Sequence, residues 1–430
     1  MFARSSVLFL VAIVIFVYGC VRATNVVNNP YIFESVSRED EYIALGYYYL
    51  DLKKYKEAKD AFQQAYTITD NKVYLKEIIG ILILMGDVSE AKKQADRYLK
   101  TNLDDDEIRN VLIGILTSTK QYEAARFEAR ILVKNDRSEK NLETLSSVYF
   151  LQNDYKNSAK YLQEAYEINH NELILDKLAS TYALFLNDTN KSINLYKNHI
   201  KKYGITQLIG EKLALIYVKE EKYEQAIQIY KQLYEETNKI QYLQVILEIY
   251  LKTKELNKAQ KLLETNHSLT YSDERFLEIL LDIYNIKKDY KNSIRILNDL
   301  YDMSGNSGYL ALEAVYIYES ANDKKDKKIL NEVSTKLEKA LQDFNEALYL
   351  NYLGYLLIDN DMDINKGIKY VEKALLIEPS NVYYLDSLAW GYYKLKDCKK
   401  AKEIMSTIPQ EEINKEEEIL EHNKKIQTCK

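Results

Sequence analysis

The residues able to do chemistry are few and scattered. The 430-residue chain has 4 histidines. His170, His199, His267 and His422 stand far apart and lack the short spacings of metal ligands. No glycine-rich phosphate loop and no nucleophile-elbow serine occurs. Asp104, Asp105 and Asp106 are adjacent carboxylates. In a short polar stretch between apolar segments they suit the capping of a helix start better than a paired general acid and base. There are 3 cysteines: Cys20 closes an apolar run, and Cys398 and Cys429 lie near the C-terminus. We therefore expect no catalytic, cofactor-binding or metal-binding set, and a chain that is not an enzyme.

Composition says what must position any functional residue. Only 12 Gly and 3 Pro interrupt the chain, which means long helices joined by short polar turns. Charged residues make up 29 % and apolar residues 47 %, enough to solvate a surface and bury a core. The net charge of -6 gives no basic face for nucleic acid, so none is expected as a partner.

The N-terminus carries a targeting signal. Arg4 precedes an unbroken apolar run from Val7 to Val17, shorter than the ~20 residues that span a bilayer. Val17-Tyr18-Gly19-Cys20 resembles a bacterial lipobox, which implies cleavage before Cys20 and lipidation of that cysteine. An uncleaved signal anchor is the other reading. Either exports the rest of the chain to the periplasm and ties it to a membrane. Val21 is not the aspartate that retains some lipoproteins at the inner membrane, which favours the outer one. Residues 21–38 read as a tether.

The rest of the chain repeats itself. Tyr42, Leu45, Gly46, Tyr49, Ala58, Phe62 and Ala65 sit at spacings that return as Leu145, Ser146, Tyr149, Ser158, Leu162 and Ala165. They return again as Leu213, Ala214, Tyr217, Ala226 and Tyr230. Two further copies are Ile246/Tyr250/Ala259/Leu263 and Leu280/Tyr284/Ser293/Leu297. The clearest pair carries Leu353, Gly354, Gly367, Val371, Ala374 and Pro379, then Leu388, Ala389, Tyr392, Ala401 and Met405. Weaker copies lie around Gly80/Ala91, Gly114/Ala125, Ala179/Ser192 and Ala314/Leu337. These spacings resemble the tetratricopeptide repeat, whose period is about 34 residues, and about eleven units cover nearly all of the exported chain. With the lipobox, the chain resembles bacterial tetratricopeptide lipoproteins of campylobacter-like bacteria. The fold expected is all-α, a right-handed superhelical solenoid of helix pairs with a C-terminal capping helix. The expected boundaries are a signal peptide over 1–19, a lipidated tether over 20–38 and an array over 39–306. A degenerate repeat with a charged insertion follows over 307–346, then a repeat pair over 347–409 and a cap over 410–430.

The repeat also places the remaining candidates. Cys398 opens the second helix of the last pair and Cys429 follows the capping helix. Antiparallel helices of similar length bring these ends together, and an exported compartment permits a disulfide between them. Asp188-Thr189-Asn190-Lys191-Ser192 and Glu264-Thr265-Asn266-His267-Ser268 match a bacterial N-glycosylation acceptor; the resemblance implies glycans on Asn190 and Asn266. In tetratricopeptide folds the first helix of each pair lines the partner-binding face. By register that face holds Tyr47, Ile81, Leu84, Val111 and Ile115, then Glu211, Leu215, Glu248, Glu278 and Asp282, then Asn351, Tyr355, Tyr383, Asp386, Trp390 and Tyr393. An aromatic cluster at Trp390 suits a binding hot spot, with the cap covering Trp390 as the alternative. The acidic stretch suits a basic segment or helix of a partner protein. The expected function is a membrane-anchored scaffold or assembly chaperone, most specifically an accessory factor or stator chaperone of the polar flagellar motor. An envelope-biogenesis adaptor or a structural spacer are the alternatives.

Overall fold

In the computed structural model, residues 37–343 and 345–430 are described. The first helix begins where a capping box can form. Ser37 Oγ accepts from the Asp40 amide while the Asp40 carboxylate accepts from the Ser37 amide, satisfying two donors a helix start leaves free. From there the described residues are helices and short turns, with no strand among them. The chain divides into two compact units after Thr181.

The first unit holds α1 (Arg38–Asp51) paired with α2 (Tyr55–Thr69), and α3 (Lys72–Leu84) with α4 (Val88–Thr101). It continues with α5 (Asp106–Ser118) and α6 (Tyr122–Asn135), then α7 (Glu139–Leu151) and α8 (Tyr155–Asn169), then α9 (Glu172–Ser180). A π-helical turn, Thr181–Phe185, follows. The second unit begins within that turn, at Tyr182, and its first α-helix is α10 (Thr189–Tyr203). Its pairs are α11 (Gln207–Lys219) with α12 (Tyr223–Thr237), and α13 (Gln241–Lys252) with α14 (Leu256–Thr265). The short α15 (His267–Thr270) leads to α16 (Glu274–Ile286) with α17 (Tyr290–Ser304), and α18 (Ser307–Glu319) with α19 (Lys327–Asp343). Last come α20 (Ala347–Asp359) with α21 (Ile364–Ile377), and α22 (Val382–Lys394) with α23 (Cys398–Met405). The cap follows as α24 (Gln410–Lys415) and α25 (Glu417–Gln427). The expected single capping helix is thus two, broken at Glu416, whose extended backbone sits between them.

The turn inside most pairs is the same device. Residues 53, 86, 120, 153, 187, 221, 254 and 288 take positive φ, and their spacing is 33 or 34 residues. Only Gly86 among them is glycine. In most of these turns the following amide reaches back to the last turn of the first helix, as Lys54 to the Tyr49 carbonyl, Asp87 to Leu82 and Asp289 to Tyr284. This closes the free carbonyls of the helix end in a Schellman arrangement. The next helix is then capped by the turn's aspartate, as at Asp87, Asp154, Asp188, Asp289, Asp363 and Asp397.

Each pair is held where its helices cross. The ring of Phe62 lies over Gly46, where a Cβ would come within 2.7 Å of it. Gly354 and Gly367 face each other in α20 and α21: a Cβ on Gly354 would stand 2.8 Å from the Gly367 carbonyl. Successive pairs then bury one another's apolar stripes, as in the cluster where Ala389, Ala401 and Met405 meet Ile413, Ile419 and Ile426 of the cap. No pair could do this alone.

Candidate functional site: the first-helix face and its C-terminal cap

The most elaborate side-chain cluster lies on α22. Helical spacing puts Asp386, Trp390 and Tyr393 on one side of that helix, and α25 packs across them. Trp390 is 6 % exposed. Its indole is stacked between the His422 ring, 4.0 Å away, and the Tyr393 ring, 4.8 Å away. Its Nε1–H donates to Asp359 Oδ1 at 3.0 Å. Lys394 and Lys425 stand near the same ring. His422 Nδ1 lies 2.8 Å from Asp386 Oδ2, both side chains being buried. Among the described residues Asp386 Oδ1 has no partner, nor has the buried Oδ1 of Asn351 on α20. Burial pushes the Asp386 carboxyl up from its ordinary value, against the pull of His422.

Two tyrosines complete the clasp. The Tyr355 hydroxyl on α20 donates to Glu418, and the Tyr383 hydroxyl donates to Glu416 at 2.9 Å. Burial, then the Glu418 carboxylate, raises the Tyr355 phenol well above its usual range. The disulfide Cys398–Cys429, with Cα atoms 5.5 Å apart, fixes the end of α25 to the start of α23. Lys402 Nζ adds a bond to the Cys429 carbonyl at 3.0 Å.

The candidate hot spot is therefore not open surface. Trp390 and Asp386 are covered by α25, Tyr355 and Tyr393 are half-buried, and Tyr383 alone is exposed. The residue that sequence reasoning missed is His422. In the sequence it stands as an isolated histidine, because its partners are supplied by a neighbouring repeat and no local spacing signals that.

In the first unit the expected face needs a correction of one residue. Each of the second helices α2, α4 and α6 has a fully buried alanine in its first turn: Ala58, Ala91 and Ala125. Counting back from them by one interval lands on Gly46, Ile79 and Ile113, all three buried. Gly80 and Gly114 are instead exposed, with open space where a Cβ would go. Anchoring the register on those glycines turned the face inward by one position. Ile81 and Ile115, expected on the face, are core residues. Tyr47 and Leu84 are exposed and Val111 is half-buried.

In the second unit Leu215 is 62 % exposed, and Glu248, Glu278 and Asp282 are exposed on α13 and α16. Glu211 and Glu278 already accept hydroxyls: Tyr242 donates to Glu211 at 2.7 Å, and Tyr309 donates to both Glu274 and Glu278 at 2.7 Å. In the first unit Tyr74 donates to Glu39 at 2.6 Å. A tyrosine near the start of one first helix thus satisfies a carboxylate on the preceding first helix, which gives part of the 39 tyrosines a positional role.

The other candidates fall as follows. Asn190 is exposed in the first turn of α10. Asn266 is half-buried, and its amide donates to the Leu262 carbonyl and to Thr265 Oγ1. Cys20 lies outside the described residues. Asp105 is the N-cap of α5. Among the described residues no group of three or more His, Cys, Asp and Glu is placed to hold a metal ion, and no helix is long and apolar enough to cross a membrane.

Residues 42–72, 140–171 and 211–239 match the sequence profile of the tetratricopeptide repeat. The chain carries tetratricopeptide repeats. A comparison with the curated proteins finds no sequence match. Among solved structures, the chain is similar to one of Naa15/Naa10 bound to HypK-THB, with 14 % identity and a TM-score of 0.39 over 86 % of this chain. It spans 63 % of that longer chain. A tetratricopeptide repeat protein from Parabacteroides merdae is similar over 56 % of this chain and 97 % of its own, with 16 % identity and a TM-score of 0.36. Yeast Tom70 is similar over 86 % of this chain and 85 % of its own, with 13 % identity and a TM-score of 0.26. No catalytic family is indicated.

Proposed function

We propose that this protein is a membrane-tied periplasmic scaffold that holds a basic segment of a partner protein against the first helices of its second unit. The observation that carries this reading is the acidic stretch on α13 and α16. Glu248 and Asp282 are exposed there, beside Glu278, and the exposed Leu215 offers an apolar contact on α11. Carboxylates on a surface of this kind steer a basic partner and fix its register. The signal segment ending at Cys20 supports export and lipid attachment, with the outer membrane as the preferred site. Within this class we place the protein among accessory factors or stator chaperones of a polar flagellar motor. An envelope-biogenesis adaptor is the alternative assignment.

The test is in-cell crosslinking of the full chain followed by mass spectrometry, run beside Glu248→Lys/Asp282→Lys. Motor or stator proteins captured by the wild type, and reduced at least tenfold in the double variant, are the expected result. Capture of outer-membrane assembly or export proteins instead moves the assignment to envelope biogenesis. Recovery of cell wall alone, unchanged by the charge reversal, makes the protein a spacer and overturns the scaffold reading.

A further inference from the structure

The positions that would meet a partner at the C-terminal end are already met by one helix of the chain itself. Glu416 and Glu418 accept from Tyr383 and Tyr355, and His422 pairs with Asp386 and lies flat on Trp390. Lys425 stands over the same indole. Alongside the apolar seal of Ile419 and Ile426, these are the contacts of recognition: hydroxyl to carboxylate, and ring and cation to indole.

The fit is incomplete. Four buried side-chain atoms have no partner among the described residues, and two of them, Asn351 Oδ1 and Asp386 Oδ1, belong to this face. Buried polar groups are normally paired, so unmatched acceptors mark an occupant that does not use everything the face offers.

At its start the occupant rests on those tyrosine bonds rather than on a helix cap. No side chain caps α25, and the chain breaks from helix at Glu416 just before it. An 11-residue helix is marginal without its packing. To that packing its far end adds a covalent tie, between two half-exposed cysteines.

We propose that α25 is a releasable occupant of the face formed by Tyr355, Tyr383, Asp386 and Trp390, and that reduction of Cys398–Cys429 opens this face to a helix of a partner protein. The inference rests on the scaffold reading only in taking the visitor to be a protein. The reductant is a dithiol protein of the Cys-x-x-Cys class. One of its thiolates attacks a sulfur of the bridge, forming a mixed disulfide and releasing the other cysteine as a thiolate that takes up a proton. Its second thiol then attacks the mixed disulfide. Both chain cysteines end as thiols, the reductant ends as a disulfide, and two electrons and two protons have been transferred. The visiting helix presents the pattern of α25: one carboxylate just before its first turn and one within it, a ring or cation about one and a half turns on, and apolar residues on the same side. A donor from the visitor to the unpaired Asp386 and Asn351 oxygens lets it outcompete the resident helix.

The experiment uses the full chain in three forms: oxidised, reduced with a phosphine, and Cys398→Ser/Cys429→Ser. The probe is a fluorescein-labelled peptide of residues 410–428 with free ends, read by anisotropy. Hydrogen exchange of α25 is followed in parallel. Removing a tie across 31 residues of sequence raises the opening equilibrium by on the order of a few hundred-fold. The peptide is therefore expected to bind the reduced and Ser/Ser forms at least a hundredfold tighter than the oxidised form, with faster exchange confined to the cap. Tyr355→Phe and Tyr383→Phe keep their rings and are expected to weaken binding several-fold each. Equal binding to all three forms, or unchanged exchange in α25 on reduction, overturns the proposal and leaves α25 a permanent cap. Neither result touches capture through Glu248 and Asp282, so this inference fails separately from the scaffold reading.

Discussion

Asp386 shows how much one side chain depends on what lies over it. Its carboxyl is raised from the ordinary value first by burial, with His422 pulling it down and the Glu418 charge pushing it up. The sign follows from linkage. A carboxyl raised by folding holds its proton more tightly folded than unfolded. Its contribution to stability is complete below the unfolded value and is lost as pH rises through the folded one. Asp386→Asn removes this contribution and keeps an acceptor for His422. The variant should therefore gain stability relative to wild type as pH rises toward neutrality from about 4, the ordinary carboxylate value. Urea unfolding followed by circular dichroism measures it. A gap that stays constant across that range would show that Asp386 does not titrate there. None of this was legible in the sequence: Asp386 was visible as a face residue, but the histidine that covers it comes from α25.

At the scale of the element, glycines of one type sit in opposite circumstances. A methyl on Gly354 would stand 2.6 Å from Val371 Cγ2 and 2.8 Å from the Gly367 carbonyl, so α20 and α21 would have to part. Gly354→Ala should cost about 2 kcal/mol, the usual penalty of overpacking a crossing. Gly80 lies inside α3 with nothing within 4 Å of its virtual Cβ. Gly80→Ala should therefore stabilise by about 1 kcal/mol, the helix-propensity difference. Chemical denaturation of the two variants decides it; the same sign for both would mean that the crossing geometry is wrong. The sequence pattern located helix pairs correctly because alanine and glycine recur against large apolar residues at the crossings. It misplaced the face of α3 and α5 because it followed the glycine letter, whereas Ile79 and Ile113 occupy the crossings. The turns were harder still. In a chain with 12 Gly, the left-handed turn residue is usually Lys, Asn or Glu, which composition reads as ordinary polar loop.

Over the molecule as a whole, nearest-neighbour contacts between pairs carry stability, and tyrosine hydroxyls run through them. Donation to Glu39, then burial, pushes Tyr74 up to about 12. Burial, then donation to Glu211 and Glu264, pushes Tyr242 and Tyr284 up to about 12. A phenol raised by folding contributes stability that is complete below its ordinary value of about 10. That contribution disappears as pH rises through about 12. Alkaline titration should show a class of tyrosines whose phenolate absorbance rises only as the helical signal falls. If every tyrosine ionises near its ordinary value with the helices intact, the tyrosine–carboxylate contacts do not bridge the pairs. The abundance of tyrosine was plain in the composition. Its purpose was not, because the accepting carboxylate lies 20 to 35 residues away and the two positions drift from copy to copy.

The arrangement around Trp390 has an optical consequence. It is the 1 Trp of the chain, and its indole lies flat against an imidazole and a phenol. An imidazole stacked on an indole opens a path for the excited state to decay without light, so the emission of the folded protein should be dim. Lifting the terminal helix removes the quencher and wets the indole, so the emission should brighten and shift to the red. The protein thus carries a built-in lamp that reports, without any label, whether its last helix is down or up.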